Sequence, residues 1–168
     1  MKVASILAVA RALQEAEVKY LVVGGVAVNL YGHQRATKDL DLVIGLEEEN
    51  IRKGIRVLKS VGYQPKLPVD GEEFAREEVR KEWVEGRNMV VFQWWSDVHR
   101  ETPIDVFVAE PFEFGQAYER AVWEEWEGVK IPVVPLNLLM DMKKEAGRGQ
   151  DLSDLEKLEE IRYLRERG

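Results

Sequence analysis

The alternation of apolar and polar residues along the chain predicts short strands and amphipathic helices. The run Tyr20–Val23 is wholly apolar, as expected of a buried strand. Asp39–Ile44 instead alternates, with acids or Val on one face and Leu or Ile on the other. Between these strands, Gly24-Gly25 leads into a short helix that ends at about Tyr31. The pattern thus predicts a strand, a tight turn, a helix and a second strand.

The rest of the chain continues this mixture. Helices are predicted at the N-terminus and at Glu47–Val61, Glu72–Glu85, Phe114–Val122, Leu136–Ala146 and Asp151–Arg167. Strands are predicted at Met89–Trp94, at Ile104–Val108 and in a hairpin over Trp123–Val134 that turns at Glu127-Gly128. The highly charged Glu72–Glu85 helix is expected to be solvated. The last helix is expected to bury a stripe made of Leu152, Leu155, Leu158, Ile161 and Leu164.

These elements predict an α/β (α+β) fold in which helices flank a mixed β-sheet. At 168 residues, the chain is expected to be a single domain over 1–168. Its core would span about 18–134, and C-terminal helices would span about 135–168.

Composition narrows the possible chemistry. The absence of cysteine excludes disulfides and thiolate metal sites, and two histidines make a histidine-rich zinc or iron site improbable. The net charge of −7 argues against a uniformly basic nucleic-acid surface, although contact with one end of a nucleic acid stays open. The apolar stretch near the N-terminus is too short for a membrane span. We therefore expect a cytoplasmic protein without a membrane partner.

Three aspartates are the candidate catalytic and metal-binding residues. Asp39 and Asp41 lie two apart on a strand and share a face, and Asp105 alternates in the same way within its own strand. Adjacent carboxylates repel each other, and a divalent cation relieves that repulsion. Two Mg²⁺ ions held by these acids would activate an attacking hydroxyl and stabilise a leaving pyrophosphate. The alternative is that Asp39 and Asp41 are solvent-facing residues of a half-exposed strand.

The Gly24-Gly25 pair is the candidate phosphate-binding turn. Glycine permits positive φ and close approach to the backbone, and a helix N-terminus offers free N–H groups. Neither a Walker loop nor a dinucleotide fingerprint is present. The alternative is a tight strand-to-helix turn with no ligand.

Together, these motifs resemble a known superfamily. Gly24-Gly25, thirteen residues and then Asp39-Leu-Asp41-Leu resemble the hG[G/S]…Dh[D/E]h signature of polymerase-beta-like nucleotidyltransferases, and Asp105 resembles their third carboxylate. The resemblance implies the nucleotidyltransferase fold. It also implies Mg²⁺-dependent transfer of NMP from an NTP to an acceptor hydroxyl.

A finer resemblance is to the AbiEii-type toxins and related small bacterial and archaeal nucleotidyltransferases. It is carried by Arg35-Ala-Thr37-Lys-Asp-Leu-Asp and by a later element that contains Lys143, Arg148, Asp151 and Asp154. It implies nucleotide-binding roles for Gly24, Gly25, Arg35, Thr37, Lys143, Arg148 and Asp151, with Lys143 also counted as catalytic. In this chain Gln150 replaces the lysine that usually precedes Asp151.

The residues of this later element also have structural interpretations. Lys143 would lie on the flank of a buried helix face marked by Leu138, Leu139, Met142 and Ala146. Such a lysine either reaches a triphosphate or places its head in solvent. Asp151 is well placed as the N-cap of the last helix. Arg148 is equally interpretable as a surface charge.

The resemblance suggests a tRNA 3′ end or a protein hydroxyl as the acceptor, with a cognate antitoxin or toxin as a further partner. Aminoglycoside modification is less favoured, because nothing in the sequence marks an antibiotic pocket. The alternative from another class is a non-catalytic nucleotide- or partner-binding module. For Trp94-Trp95, one buried ring beside a second that covers a helix is favoured over stacking on a base.

Overall fold

The computed structural model describes residues 1–168. The helices are α1 Val3–Glu15, α2 Gly24–Leu30, α3 Glu48–Ser60, α4 Glu77–Arg87, α5 Phe114–Glu119, α6 Leu136–Ala146 and α7 Gly149–Arg167, with a 3₁₀ helix at Gly71–Ala75. The strands are β1 Tyr20–Val23, β2 Leu40–Ile44, β3 Tyr63–Pro65, β4 Val91–Ser96, β5 Ile104–Phe107, β6 Val122–Trp126 and β7 Val129–Val133. The predicted mixed α/β fold is confirmed.

All seven strands form one mixed sheet in the order β3-β4-β5-β2-β1-β7-β6. The first strand lies near the centre, antiparallel to β2 and parallel to β7. On the far side of β2, β5 is parallel to it and β4 is antiparallel to β5. The β6–β7 pair is the hairpin predicted from the sequence, and it forms one end of the sheet.

Helices pack on both faces of the sheet, but not over its whole width. On one face, Gly54 of α3 lies against Ile44, and Trp83 of α4 packs on Phe92 with ring centroids 4.9 Å apart. On the other face, α2 begins at Gly24, directly against the Asp41 side chain. Asp41 of β2 therefore lies on the same face as α2.

One part of that second face is accessible. Along β4, Phe92 and Trp94 are buried on the α4 side, whereas the side chains that point the other way are half-buried or exposed. β5 shows the same alternation. We call the accessible side of β3, β4 and β5 the open face; its residues are Gln64, Val91, Gln93, Trp95, Asp105 and Phe107.

The structure corrects two expectations about the charged middle of the chain. The Glu72–Glu85 segment is not one solvated helix, because a break at Arg76 divides it into the 3₁₀ helix and α4. Phe74 and Trp83 within it are buried and pack on Phe92 of the sheet. The sequence analysis also missed β3, whose three residues pair with β4.

Two predicted helix faces were also wrong. In α6, Leu139, Met140 and Lys143 are the buried residues, while Leu138 and Met142 are only partly buried and Ala146 is exposed. In α7, Leu158 is the only buried member of the predicted stripe, and Leu152 and Leu164 are exposed. The inner side of α7 is instead marked by two buried aspartates, Asp151 and Asp154. No helix has both the length and the apolar character needed to cross a lipid bilayer.

Candidate active site

Asp41 and Asp105 lie side by side on the two parallel strands β2 and β5. The strand register pairs Asp41 directly with Asp105, and neighbouring strands are about 4.8 Å apart. Both side chains are partly buried, and both occupy the face that carries α2. Asp39 comes immediately before β2, one residue outside the strand in which it was predicted. The structure thus brings together the three acids singled out in the sequence.

The electrostatics of these acids show that negative charge is uncompensated here. Burial, the Asp105 charge and the Asp39 charge raise the pKa of Asp41 to about 7, although Lys143 and the Gly25 N–H favour its ionised form. Burial also raises the pKa of Asp105, against a hydrogen bond from Gln93. Raised pKa values of this origin are typical of sites that receive a cation or a proton during function.

Glycine is required at both positions of the turn because side chains pack onto it. Gly24 has a φ of +65°, and a Cβ placed there would lie 2.7 Å from Cγ of Asp41. A Cβ on Gly25 would lie 2.8 Å from Cβ of Thr37 and 3.1 Å from Nη2 of Arg35. Asp41, Thr37 and Arg35, which all follow α2 in the chain, thus approach the two glycines closely.

Arg35 connects the loop before β2 to the C-terminal helices. Its Nε and Nη2 each lie 2.7 Å from one carboxylate oxygen of Asp154, a two-point contact. The Asn29 side chain holds the Arg35 backbone from both sides, accepting from its N–H at 3.0 Å and donating to its carbonyl at 2.9 Å. The segment that carries Thr37 and Asp39 is therefore anchored at its start.

Lys143 is buried and bound to two aspartates. Its Nζ lies 3.0 Å from Oδ1 of Asp151 and 2.9 Å from Oδ2 of Asp154. The predicted inward orientation is therefore present, although two of the three ammonium N–H groups meet carboxylates of α7. Its positive charge also acts on Asp41, where it opposes the rise in pKa caused by burial and the neighbouring acids. Lys143 thus lies between the catalytic candidates and the last helix.

Asp151 is not the N-cap that the sequence predicted. Arg148 is the N-cap of α7, and Asp151 lies three residues into the helix and accepts from the Arg148 backbone N–H at 3.2 Å and from its Nε at 2.8 Å. The shift arises because α7 begins at Gly149, earlier than expected. The Arg148 side chain is 81% exposed, consistent with the surface charge considered above.

Asp154 is the most highly connected residue of the region, and it was not among the predicted site residues. It is fully buried and accepts from Arg35, Lys143 and Gln150, the last at 3.0 Å. Burial alone would raise the pKa of Asp154, but these donors lower it to about 2. Its spacing of three from Asp151 was the available signal, since residues three apart share a helix face.

Gln93 was also missed, whereas Trp94-Trp95 was partly anticipated. Gln93 donates from Nε2 to Oδ1 of Asp105 at 2.9 Å. Trp94 is buried, as expected, but Trp95 lies on the open face instead of covering a helix. The basic residues of the charged segment are mostly paired with glutamates on the surface, with Arg76 on Glu78 for example.

The donor set suits a cation shared with a ligand better than one enclosed by protein alone. No three Asp, Glu or His side chains converge closely enough to hold a metal by themselves. Asp41 and Asp105 are nevertheless adjacent, partly buried and short of positive charge. Mg²⁺ characteristically takes one or two carboxylates and completes its shell with water and phosphate oxygens. The residues therefore fit Mg²⁺ that arrives with a nucleotide.

Solved structures that resemble this fold include nucleotidyltransferases. The lincosamide antibiotic adenylyltransferase LnuA, solved with lincomycin bound, superposes with a TM-score of 0.64 at 16% identity, over 96% of this chain and 98% of that chain. ANT(2″)-Ia, solved with adenylyl-2″-tobramycin, gives 0.57 at 15% identity, over 98% of this chain and 97% of that one. An antigenic nucleotidyltransferase-like protein from Paracoccidioides brasiliensis gives 0.56 at 19% identity, over 93% and 73%.

These likenesses show that the chain has the nucleotidyltransferase fold. No family model matches the sequence, and no curated protein matches it significantly.

Proposed function

We propose that this protein is a Mg²⁺-dependent nucleotidyltransferase that moves NMP from an NTP to an acceptor hydroxyl. The observation that carries the proposal is the in-register pair Asp41 and Asp105, which is short of positive charge and whose Asp41 lies against Gly24, in a nucleotidyltransferase fold. In the reaction, the acceptor oxygen bonds to the α-phosphorus. The bond from that phosphorus to the β-phosphate bridge breaks, and pyrophosphate leaves with the bonding electrons.

Asp39, Asp41 and Asp105 would hold the magnesium, with two ions proposed. When bound, the metal supplies charge neutralisation for the phosphates and the leaving pyrophosphate. The chain itself supplies alignment: Gln93 fixes one oxygen of Asp105 at 2.9 Å, and Asp41 packs against Gly24. We propose Asp105 as the group that accepts the acceptor's proton, because its pKa is raised and one of its oxygens is already oriented.

The nucleotide would lie on the α2 side of the acids. Gly24 and Gly25 begin α2, and Arg35 and Thr37 lie over the turn. Lys143 has one N–H left after its two aspartates, and we propose that this donor reaches a phosphate oxygen. Arg148 extends from the start of α7 and would close the outer side, with Asp151 as the residue that orients it.

For the acceptor, we propose a small hydroxylated compound in preference to a tRNA 3′ end or a protein. The support is that LnuA and ANT(2″)-Ia were solved with an antibiotic or an adenylylated antibiotic, and that this chain spans nearly all of each. A toxin–antitoxin or phage-defence role, with a cognate partner, is a separate proposal. It depends on tRNA or protein being the acceptor.

The test is transfer of label from each α-³²P-NTP, with Mg²⁺, to lincomycin, tobramycin, total tRNA and extract protein. We expect label on a small acceptor, and none with Asp41→Asn or Asp105→Asn at an unchanged circular-dichroism spectrum. Label on tRNA or protein would instead favour the acceptors suggested by the sequence. Undiminished transfer by both folded variants would contradict the proposed role of Asp41 and Asp105 in the reaction.

The alternative of a non-catalytic nucleotide-binding module is supported by one observation. Lys143 and Arg35 are already bound by α7 carboxylates, which leaves few cations free for a triphosphate. This alternative predicts Mg-NTP binding, seen as a rise in melting temperature, with no label on any acceptor.

A further inference from the structure

We infer that the open face beside Asp105 is the acceptor subsite, with Trp95 as the platform on which an uncharged, hydroxylated ring of a small acceptor stacks. The inference rests on the proposed function, because it concerns the second substrate of that reaction.

The sheet register places Trp95 next to the reaction centre. Gln93 of β4 lies directly opposite Asp105 of β5 and hydrogen-bonds to it. Trp95 is two residues further along β4 and points to the same face, about 7 Å from Gln93 at strand spacing. A ring stacked on the indole would therefore be separated from the Asp105 carboxylate by about the width of one sugar or aryl ring.

Asp41 and Asp105 lie between two parts of this face of the sheet, the part next to α2 and the open face. On one side of Asp41, the start of α2 and the loop with Thr37 lie against the sheet, with Gly24 and Thr37 partly buried. On the other side, the outward residues of β5, β4 and β3 are accessible. A nucleotide on the α2 side leaves the open face as the approach by which a second molecule reaches Asp105.

The side chains of the open face favour an uncharged ring. Trp95 is 37% exposed and pairs with no other aromatic ring, so its indole face is available. Gln64 lies opposite it on β3, and Gln93 is on the same strand. The neutral amides can form hydrogen bonds with hydroxyl groups of an acceptor. The exposed indole offers an apolar surface for its ring.

The charges nearby argue against a nucleic-acid strand on this face. Lys66 is the cation that acts on Asp105, and the outward side chains of β3 and β4 carry no positive charge. Binding of a strand derives mainly from several phosphate contacts to Lys or Arg. A single lysine suits a small acceptor.

Trp123 provides a matched control. It is 50% exposed, more than Trp95, but it lies on β6 at the opposite end of the sheet. Its ring packs edge-on against Tyr118 at 5.8 Å. A substitution there tests the general effect of removing an exposed tryptophan without touching the open face.

The first experiment is ¹⁹F NMR of the full chain labelled with 5-fluorotryptophan, whose five resonances are assigned with Trp95→Phe and Trp123→Phe. The probes are 4-nitrophenyl β-D-glucopyranoside and a short single-stranded RNA that ends in CCA. We expect the glucoside to shift the Trp95 resonance and leave that of Trp123 in place. A Trp95 resonance that shifts only with RNA, or that shifts with neither probe, would overturn the inference.

The second experiment uses the acceptor identified by the transfer assay. We expect Trp95→Ala to raise the acceptor KM about tenfold, the loss typical of one stacking contact, while the KM for NTP stays as in wild type. Trp95→Phe should recover much of that loss, and Trp123→Ala should resemble wild type. An unchanged acceptor KM in Trp95→Ala would refute the subsite while transfer stands. Absence of transfer beside a Trp95 shift would refute the proposed function alone.

Discussion

Two pairs of aspartates lie on either side of Lys143 and behave in opposite ways. Asp41 and Asp105, on the sheet, have raised pKa values because they are partly buried near other acids. Asp151 and Asp154, on α7, are less exposed to solvent, yet their pKa values are lowered by hydrogen bonds from arginine and lysine. Burial alone therefore does not set the ionisation of a carboxylate; the available donors do.

The difference separates a site from the part of the protein that holds it in place. The α7 pair has donors for its oxygens and ties α6, α7 and the Arg35 loop together. The sheet pair lacks matching positive charge, which a divalent cation would supply. The first pair should matter most for stability and the second for ligand binding, and this contrast can be tested residue by residue.

The largest loss of stability is expected from Lys143→Met. It leaves Asp151 with only Arg148, and Asp154 without its lysine, in a buried setting. Breaking a buried ion pair by removing one partner costs about 3–5 kcal/mol. Urea denaturation at pH 7 measures it, with Lys144→Met as the control, since Lys144 is exposed on the same helix. Equal stability of the two variants would contradict the role of Lys143.

Gly24→Ala should come next, at about 2 kcal/mol or more, because it combines left-handed backbone with a clash against Asp41. Gly128→Ala is the control, since Gly128 also has positive φ but open space around its Cα. The excess of the first loss over the second measures the clash. If the excess persists in an Asp41→Ala background, the contact with Asp41 is not its cause.

Asp41→Asn should stabilise the protein without metal. A raised pKa means that the folded state holds a proton more tightly than the unfolded chain, so wild-type stability falls as pH rises from about 4 to 7 and stays low above that range. The variant should therefore be more stable than wild type at pH 8 and equally stable near pH 4. Thermal melts across this range measure the gain. A pH-independent gain would indicate a packing effect instead.

Asp154→Asn should show the opposite pH dependence. Because the pKa of Asp154 is lowered to about 2, its ionised form stabilises the fold above about pH 4, and this contribution disappears as pH falls towards 2. The deficit of the variant should thus be full at pH 7 and narrow on acidification. If the stability deficit of the variant stays constant down to pH 2.5, the negative charge of Asp154 is not its cause.

The smallest effect is expected from Arg148→Ala. Its contact with Asp151 has good geometry, but the side chain is 81% exposed. Exposed ion pairs contribute about 1 kcal/mol or less, and salt screens them. Urea denaturation in low and in 1 M salt should show a small loss that disappears in the second. A loss as large as that of Lys143→Met would mean that the two cations are equivalent.

Local patterns in the sequence were sufficient for the strand–turn–helix–strand unit. Tyr20–Val23 and the alternation around Asp41 predicted two adjacent strands, and a third strand brings Asp105 beside them. The fold and the grouping of the three acids could be predicted because the alternation within each strand shows which of its residues share a face. The roles of these acids stay predictions.

What the sequence did not disclose depends on contacts between distant segments. Asp154 lies 119 residues from Arg35, so nothing local indicates that they meet. The charged 72–85 segment packs through Phe74 and Trp83, whose acidic neighbours masked the apolar face. The helix α7 could not be oriented because its buried side combines Leu158 with two aspartates, while Leu152 and Leu164 of the predicted stripe are exposed.

The contact between Gly24 and Asp41 has a consequence for how related chains can diverge. As long as the acid is present, its carboxylate fills the space above the glycine, so no larger residue fits there. A lineage that loses the acid to alanine or glycine also loses that steric restriction, and only the backbone preference remains. Related genes that lose this acid should therefore accumulate other residues at position 24 after position 41 has changed, in that order.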